Sequence, residues 1–264
     1  MKILQLGKAS AVPPEGQYNA SYVIDAGGQL ILIDTPPSII TQLNNARIKP
    51  EQIDWIAITH QHGDHLLGLP MLLVYGYALF PDKIWRIIVQ DFLIDTIRHL
   101  IEIAYPELLH KRPFFTNNIQ FYPISNPTDF LLELSARTTI RAASTCHGVP
   151  CTAIRIGTAD QSVTYSADTG FTEPVVELAQ NTSLLIHEAG LGAVKPPPAP
   201  AHHSTAEQAG TAAQRAHARE LWLTHLSDCS ETGINGAVRA ARNSFGGTVR
   251  VVDDFIWIPV TYSF

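Results

Sequence analysis

The 264-residue sequence sets 18 Lys and Arg against 24 Asp and Glu, a formal net charge of −6, and is 45% apolar. That apolar content is ample for a sizeable core, and the acidic balance excludes an overall electrostatic footprint for polyanions, leaving only local basic patches open. Three cysteines, Cys146, Cys151 and Cys229, are too few and too odd in number for a disulfide framework and fit a reduced compartment.

Lys2 to Leu6, Ser21 to Asp25 and Leu30 to Asp34 read as strands, the latter two joined by the hairpin signal Ala26-Gly27-Gly28-Gln29. Nothing near Met1 has the apolar core and cleavage site of a secretion signal, and no stretch approaches the roughly 18 uncharged apolar residues of a membrane span. A cytoplasmic protein is expected. Pro36-Pro37-Ser38 stops the sheet and can cap a helix through Asn45; Pro50-Glu51-Gln52 then leads into a buried strand, Trp55 to Ile58. Helical periodicity covers Gly68 to Leu79 and Asp91 to Leu109, on either side of a strand from Trp85 to Gln90. His99, His110, Lys111 and Arg112 sit near the end of that second helix, where cations suit the dipole.

Strands return at Ile119 to Tyr122, Thr138 to Ala143, Thr152 to Ile156 and Ser162 to Tyr165. A helix from Thr172 to Gln180 precedes an apolar strand, Ser183 to Ile186, that delivers His187-Glu188. Gly190 to Pro200 cannot be regular structure and serves as rim, lid or spacer. Ser204-Thr205-Ala206-Glu207 reads as a capping box opening a helix to His217. Glu220 to Thr224 is a strand, Glu231 to Asn243 a helix, and Val249 to Val252 and Phe255 to Ile258 are closing strands. The run of β-rich half, helix, strand and helix occurs twice without a linker. This predicts one domain, residues 1–264, built as an α+β four-layer αββα sandwich.

The densest chemistry lies in Thr59-His60-Gln61-His62-Gly63-Asp64-His65, directly after the Trp55 strand. His60 and His62, two apart in an extended segment, point to one side, and Gly63 lets the chain turn to present Asp64 and His65 from another. Further strand ends carry His147, Asp168 and His225. Polar groups gathered at one end of several strands need a partner, and seven N/O ligands without a thiolate suit two divalent ions. Zn²⁺ comes first, with Mn²⁺ or Fe as alternatives. Two such ions would polarise a phosphoryl oxygen and generate a hydroxide near neutral pH. Cys146 and Cys151 read as buried thiols, and Gly63, Gly148 and Gly170 as tight turns.

The Thr59 to His65 stretch resembles the signature of the metallo-β-lactamase superfamily, and the later ligands follow in that superfamily's order. Leu6 to Pro13, His147 to Thr152, Tyr165 to Gly170, His187-Glu188-Ala189, His203-Ser204-Thr205 and Leu223 to Ser227 are similar to its ribonuclease Z-like phosphodiesterase branch. The resemblance implies that His60, His62 and His147 hold one metal and Asp64, His65 and His225 the other, with Asp168 bridging. It also implies a homodimer. Asp64 would accept a proton from the bridging water, and Glu188 with His203 would protonate the leaving oxygen. Before Ser204, at a helix N-terminus, His203 would also favour an anionic phosphate, with capping and solvation the plain alternative. His202 is the neighbouring candidate, and His187 faces the core or supports Glu188.

Departures from the branch bear on substrate. Ribonuclease Z enzymes carry a tRNA-gripping arm between the third His motif and the bridging Asp, whereas His147 and Asp168 are 21 positions apart here. Gly190 stands where Thr is expected, and Asp228-Cys229 where Arg-Tyr is expected. The sequence therefore points to a dinuclear metal-dependent hydrolase acting on a small or cyclic phosphodiester through a metal-bridging hydroxide, with nucleic acid not favoured. An arm-less tRNA 3′-end endonuclease, a sulfate, carboxylic ester or lactone hydrolase, and a non-enzymatic binding protein are the rivals.

Overall fold

A computed structural model of the chain describes residues 1–106, 113–193 and 201–261. One sheet holds β1 (Lys2–Gly7), β2 (Ser21–Ala26), β3 (Gln29–Ile33), β4 (Trp55–Ala57), β5 (Trp85–Gln90), β6 (Ile119–Ile124) and β14 (Trp257–Pro259), in the order β14-β1-β2-β3-β4-β5-β6. The other holds β7 (Leu131–Ser135), β8 (Thr138–Ser144), β9 (Thr152–Gly157), β10 (Ser162–Tyr165), β11 (Leu184–Glu188), β12 (Glu220–Thr224) and β13 (Thr248–Arg250), ordered β13-β12-β11-β10-β9-β8-β7. Each sheet is antiparallel in one part and parallel in another. β3, β4, β5 and β6 run parallel, as do β10 to β13.

The period-2 alternation explains the layers. Ile3, Tyr22, Ile24 and Ile31 face inward and meet Ile140, Ile154, Tyr165, Ile186 and Trp222 of the other sheet. Their neighbours Leu4, Val23, Leu32 and Ile56 face outward and are covered by α1 (Ile39–Asn45), α3 (Leu69–Leu79) and α4 (Leu93–Ala104). Among the described residues the remaining α-helices are α2 (Gly63–Leu66), α5 (Pro113–Asn117), α6 (Glu173–Leu178), α7 (Ala206–Arg215) and α8 (Glu231–Arg242). Leu185, Leu221 and Leu223 of the second sheet pack on alanines of α7 and α8. These two helices pass so closely that a Cβ at Gly210 would lie 2.3 Å from the Ala241 carbonyl oxygen. Helices outside two packed sheets give the expected αββα sandwich. Among the described residues no helix is long and apolar enough to cross a membrane.

Several local expectations change. β7, with its alternating burial, was not anticipated; it closes a hairpin with β8. The β2–β3 turn is the two-residue Gly27-Gly28, with φ of 68° and 84°, tighter than the expected four residues. Helix α4 ends at Ala104, and residues 107–112, with His110, Lys111 and Arg112, lie outside the described residues, as do 194–200 of the Pro-rich loop. β14 begins at Trp257 because Phe255 takes a left-handed φ of 66°. Ser38 occupies the N-cap position of α1 without a side-chain cap bond; its hydroxyl donates to Gln42 Oε1 at 3.1 Å.

The capping box lies one residue further on than expected. Thr205 Oγ1 accepts from Gln208 N at 3.2 Å, and Thr205 N donates to Gln208 Oε1 at 3.0 Å. Ser204 is left to donate to the Thr169 carbonyl at 2.7 Å, tying the segment to the loop after β10.

Candidate metal centre

Parallel strands carry their following loops to one edge, and the polar residues gather there. His60 to His65 follow β4, Asp168 follows β10, Glu188 ends β11 and His225 follows β12. Three non-glycine residues at these strand ends take left-handed φ: Asp34 at 59°, Ala167 at 51° and His225 at 53°. Such conformations are tolerated by Asp and His and costly for Ala, and they turn the chain sharply where the side chains converge. Gly63, Gly148 and Gly170 are not among the glycines with positive φ, so no left-handed backbone calls for glycine at these three positions. Gly63 opens α2, while a Cβ at Gly170 would lie 1.9 Å from the Ala201 carbonyl oxygen, so that glycine admits the segment before His202.

All seven expected ligands meet. One group comprises His60, His62, His147 and Asp168, a second Asp64, His65 and His225, and a third Asp168, His203 and His225. His62 Nδ1 lies 3.1 Å from both His60 Nε2 and His147 Nε2. Asp168 Oδ2 is 3.8 Å from His60 Nε2 and 3.3 Å from His225 Nε2, and its Oδ1 is 3.6 Å from His65 Nε2. Asp64 Oδ2 lies 3.2 Å from His65 Nε2 and 3.4 Å from His225 Nε2. Asp168 thus faces both groups.

The tautomers follow from what the other ring nitrogens touch. His65 Nδ1 lies 2.7 Å from Asp34 Oδ2, His147 Nδ1 is 2.9 Å from the His202 carbonyl, and His60 Nδ1 is 3.0 Å from Thr59 Oγ1. Thr59 donates its hydroxyl to Asp34, so it accepts from His60. Each Nδ1 then carries the proton and each Nε2 turns a lone pair inward. His62 can donate to only one of its two nitrogen neighbours, so both short contacts cannot be hydrogen bonds. His65 Nε2 and Asp168 Oδ1 are buried without a hydrogen-bond partner. Converging lone pairs and orphaned acceptors are the donor set of a divalent cation.

Electrostatics agree with that fit. Burial, with the charge of His65 next, pushes His60 down to about 2, and burial lowers His147; both rings stay neutral and able to ligate. At His65 and His225 burial opposes the charge, but carboxylates prevail and raise both. Burial alone would raise Asp64, yet the hydrogen bond from His225, with the charge of nearby His65, holds it well below the ordinary carboxylate range. Asp168 is likewise lowered against its burial by the charges of His225, His65 and His60. Buried carboxylates thus draw positive charge onto the rings, which a cation would supply instead.

Beside this cluster His203 Nδ1 lies 2.8 Å from Glu188 Oε1, and that hydrogen bond raises the His203 pKa. Glu188 is fully buried and immobilised by the Thr169 amide at 3.0 Å and the Gly190 amide at 2.8 Å. His203 stacks on His225, with ring planes 8° apart. It lies two residues before the Thr205 cap, so Glu188 and not the helix end sets its charge. His202 contributes its backbone carbonyl to His147, and His187 is buried with Nδ1 2.7 Å from the Glu188 carbonyl. Cys151 is buried as expected, whereas Cys146 is partly exposed; neither joins a ligand group among the described residues.

A cleft of about 390 Å³ opens beside His203 and His225, walled by Ser10, Val12, Leu191 and Ser227. The Ser10 loop belongs to the first sheet and is clamped to the second by Ser10 N to Leu226 O at 3.0 Å and Leu226 N to Lys8 O at 2.9 Å. The participant that sequence reasoning missed is Asp34, whose one signal was a carboxylate ending the apolar run Ile31-Leu32-Ile33.

This fold with this cluster defines a metal-dependent hydrolase of the metallo-β-lactamase superfamily. Within it the chain belongs to the family described as Anti-Pycsar protein Apyc1, which it matches over residues 1–243. The probable metallo-hydrolase YhfI of Bacillus subtilis is 25% identical over 261 residues, covering 97% of this chain and 99% of that protein. Its crystal structure has a TM-score of 0.80 at 22% identity, covering 97% and 98%. Ribonuclease Z of Methanothermobacter thermautotrophicus is 27% identical over 301 positions, covering 98% and 97%. The short form of human tRNase Z gives a TM-score of 0.77 at 24% identity, covering 99% and 100%. The ribonuclease Z-like branch is thus the right neighbourhood.

Proposed function

We propose that this chain is a single-domain, dinuclear phosphodiesterase acting on a small or cyclic phosphodiester. His60, His62 and His147 would hold one ion and Asp64, His65 and His225 the other, with Asp168 shared. The observation that carries the reading is the pairing of this cluster with a proton donor, His203 on Glu188, at one cleft. Bound there, divalent ions, Zn²⁺ first, would polarise a phosphoryl oxygen and lower the pKa of a water near it.

The chain's own residues supply the rest. Asp64, kept ionised, accepts the proton of the attacking water, and its contacts to His65 and His225 fix its orientation. His203, kept protonated by Glu188, donates to the leaving oxygen. Relatives named ribonuclease Z and tRNase Z support phosphodiester chemistry. The 21-position span between His147 and Asp168, filled by β9 and β10, favours a small substrate over a gripped tRNA. A reducing cytoplasm, matching three free cysteines, and a homodimer complete the reading.

The deciding experiment measures metal per chain together with rates on a phosphodiester, a phosphomonoester, a sulfate ester and a lactone. Two ions per chain with a phosphodiester preferred is the expected result. Metal-loaded protein inert toward every phosphodiester would sink the reading. Precursor-tRNA cleavage with a steep salt slope would favour the endonuclease instead.

A further inference from the structure

The end of the second sheet opposite the metal centre carries a cavity of about 360 Å³, lined by Thr139, Arg141, Arg155, Thr158, Ser162 and Asn181 among others. β10 connects the two regions: it starts at Ser162 in this cavity and ends at Tyr165, three residues before Asp168. The centres therefore lie at opposite ends of one strand.

Arg141 and Arg155 are direct cross-strand partners in the β8–β9 register, an arrangement of like charges that destabilises a sheet unless something lies between them. The Arg155 guanidinium is half-buried and held in place: Nη1 donates to the Leu178 and Gln180 carbonyls at 2.8 and 2.7 Å, and Nη2 to Ser162 Oγ at 2.9 Å. Those partners are neutral, so its charge is not cancelled by a carboxylate. Arg141 is exposed, and no carboxylate among the described residues pairs with it. The one acid on the rim, Asp160, sits in the exposed turn closed by Thr158 N to Gln161 O at 2.8 Å. The remaining wall is mostly hydroxyl and amide, with Gly157 and Ala159 beside the turn.

We propose that this cavity is an oxyanion site, with Arg155 as the fixed cation, Arg141 as the adjustable one, and the side chains of Thr139 and Asn181 as neutral donors. A planar guanidinium pair of this kind matches phosphate geometry, so the ligand class is free phosphate or the phosphate of a monoester. The site is separate from the hydrolytic cleft and does not depend on the reading of that cleft.

The test follows backbone amide resonances of the metal-loaded protein during titration with inorganic phosphate and, in parallel, methyl phosphate, at matched ionic strength. Saturable shifts at Thr158, Ser162 and Asn181 by about 20 mM are expected, with Arg141→Ala weakening them about fivefold or more. Hydrolysis by Arg141→Ala should match the unsubstituted protein, because Arg141 lies outside the cleft. Tighter binding of methyl phosphate would assign the site to a monoester, and tighter binding of phosphate to the free anion. Either outcome supports the site. Amides that stay still with both ligands, or move equally in Arg141→Ala, would overturn it.

Discussion

Asp34 Oδ2 lies 2.7 Å from His65 Nδ1, and the same carboxylate accepts from the Thr59 hydroxyl, which in turn meets His60 Nδ1. One fully buried side chain at the end of β3 therefore sets the orientation of an imidazole in each of the two proposed ion sites. Partners of this kind fix the tautomer and raise ligand basicity, and their loss costs about 10- to 100-fold in metal affinity. Asp34→Asn, which tolerates the left-handed backbone, should lower metal affinity by that factor as measured by competition with a chelator. Unchanged affinity would remove Asp34 from the metal-positioning role.

Asp64→Ala should lower hydrolysis of a model phosphodiester by about 10²-fold or more, since it removes both a proposed ligand and the proton acceptor. The fold should survive, because Asp64 belongs to the short helix α2 at the edge and not to a core cluster. Circular dichroism and residual metal content are the accompanying measurements. A variant that retains full activity contradicts the assigned role.

His203→Ala and Glu188→Gln test the proton donor. The expected fall in kcat is about 10²- to 10⁴-fold with an alkoxide leaving group, and much less with 4-nitrophenolate, which leaves without a proton. Equal losses for both leaving groups would point to a structural role.

The pH dependence has a definite sign. His203 is raised, chiefly by its hydrogen bond to Glu188, so the donor form is complete below that raised pKa and is lost as pH rises through it. Glu188→Gln removes the principal cause and should move the alkaline limb of kcat to lower pH. A limb that stays in place, or moves upward, assigns that limb to another group.

Chelation should destabilise as well as inactivate. An ion present at about 1,000 times its dissociation constant contributes about 4 kcal/mol, so a chelator should lower Tm by roughly 10 °C for a chain of this size. Re-addition of Zn²⁺ should restore both Tm and activity. A Tm indifferent to the chelator would mean that the cluster binds no ion tightly.

Local information in the sequence was enough for most of the element types, though not for β7, and for the seven polar residues, because period-2 apolar runs, proline and glycine breaks and the spacing from His60 to His65 depend only on neighbours in the chain. The doubled β-rich pattern was likewise enough for the αββα layers. Only the tertiary structure decided which side chains meet. Asp34 and His65 are 31 positions apart and join because parallel strands deliver both to one edge. His147 is oriented by the His202 carbonyl because the Gly170 loop admits that segment so closely. Thr205 caps α7 because Ser204 is committed to the Thr169 carbonyl, a contact between segments 35 positions apart. Arg141 and Arg155 share a cavity through strand register, which sequence spacing does not express. In each case long-range geometry chooses among local options that the residues alone leave equivalent.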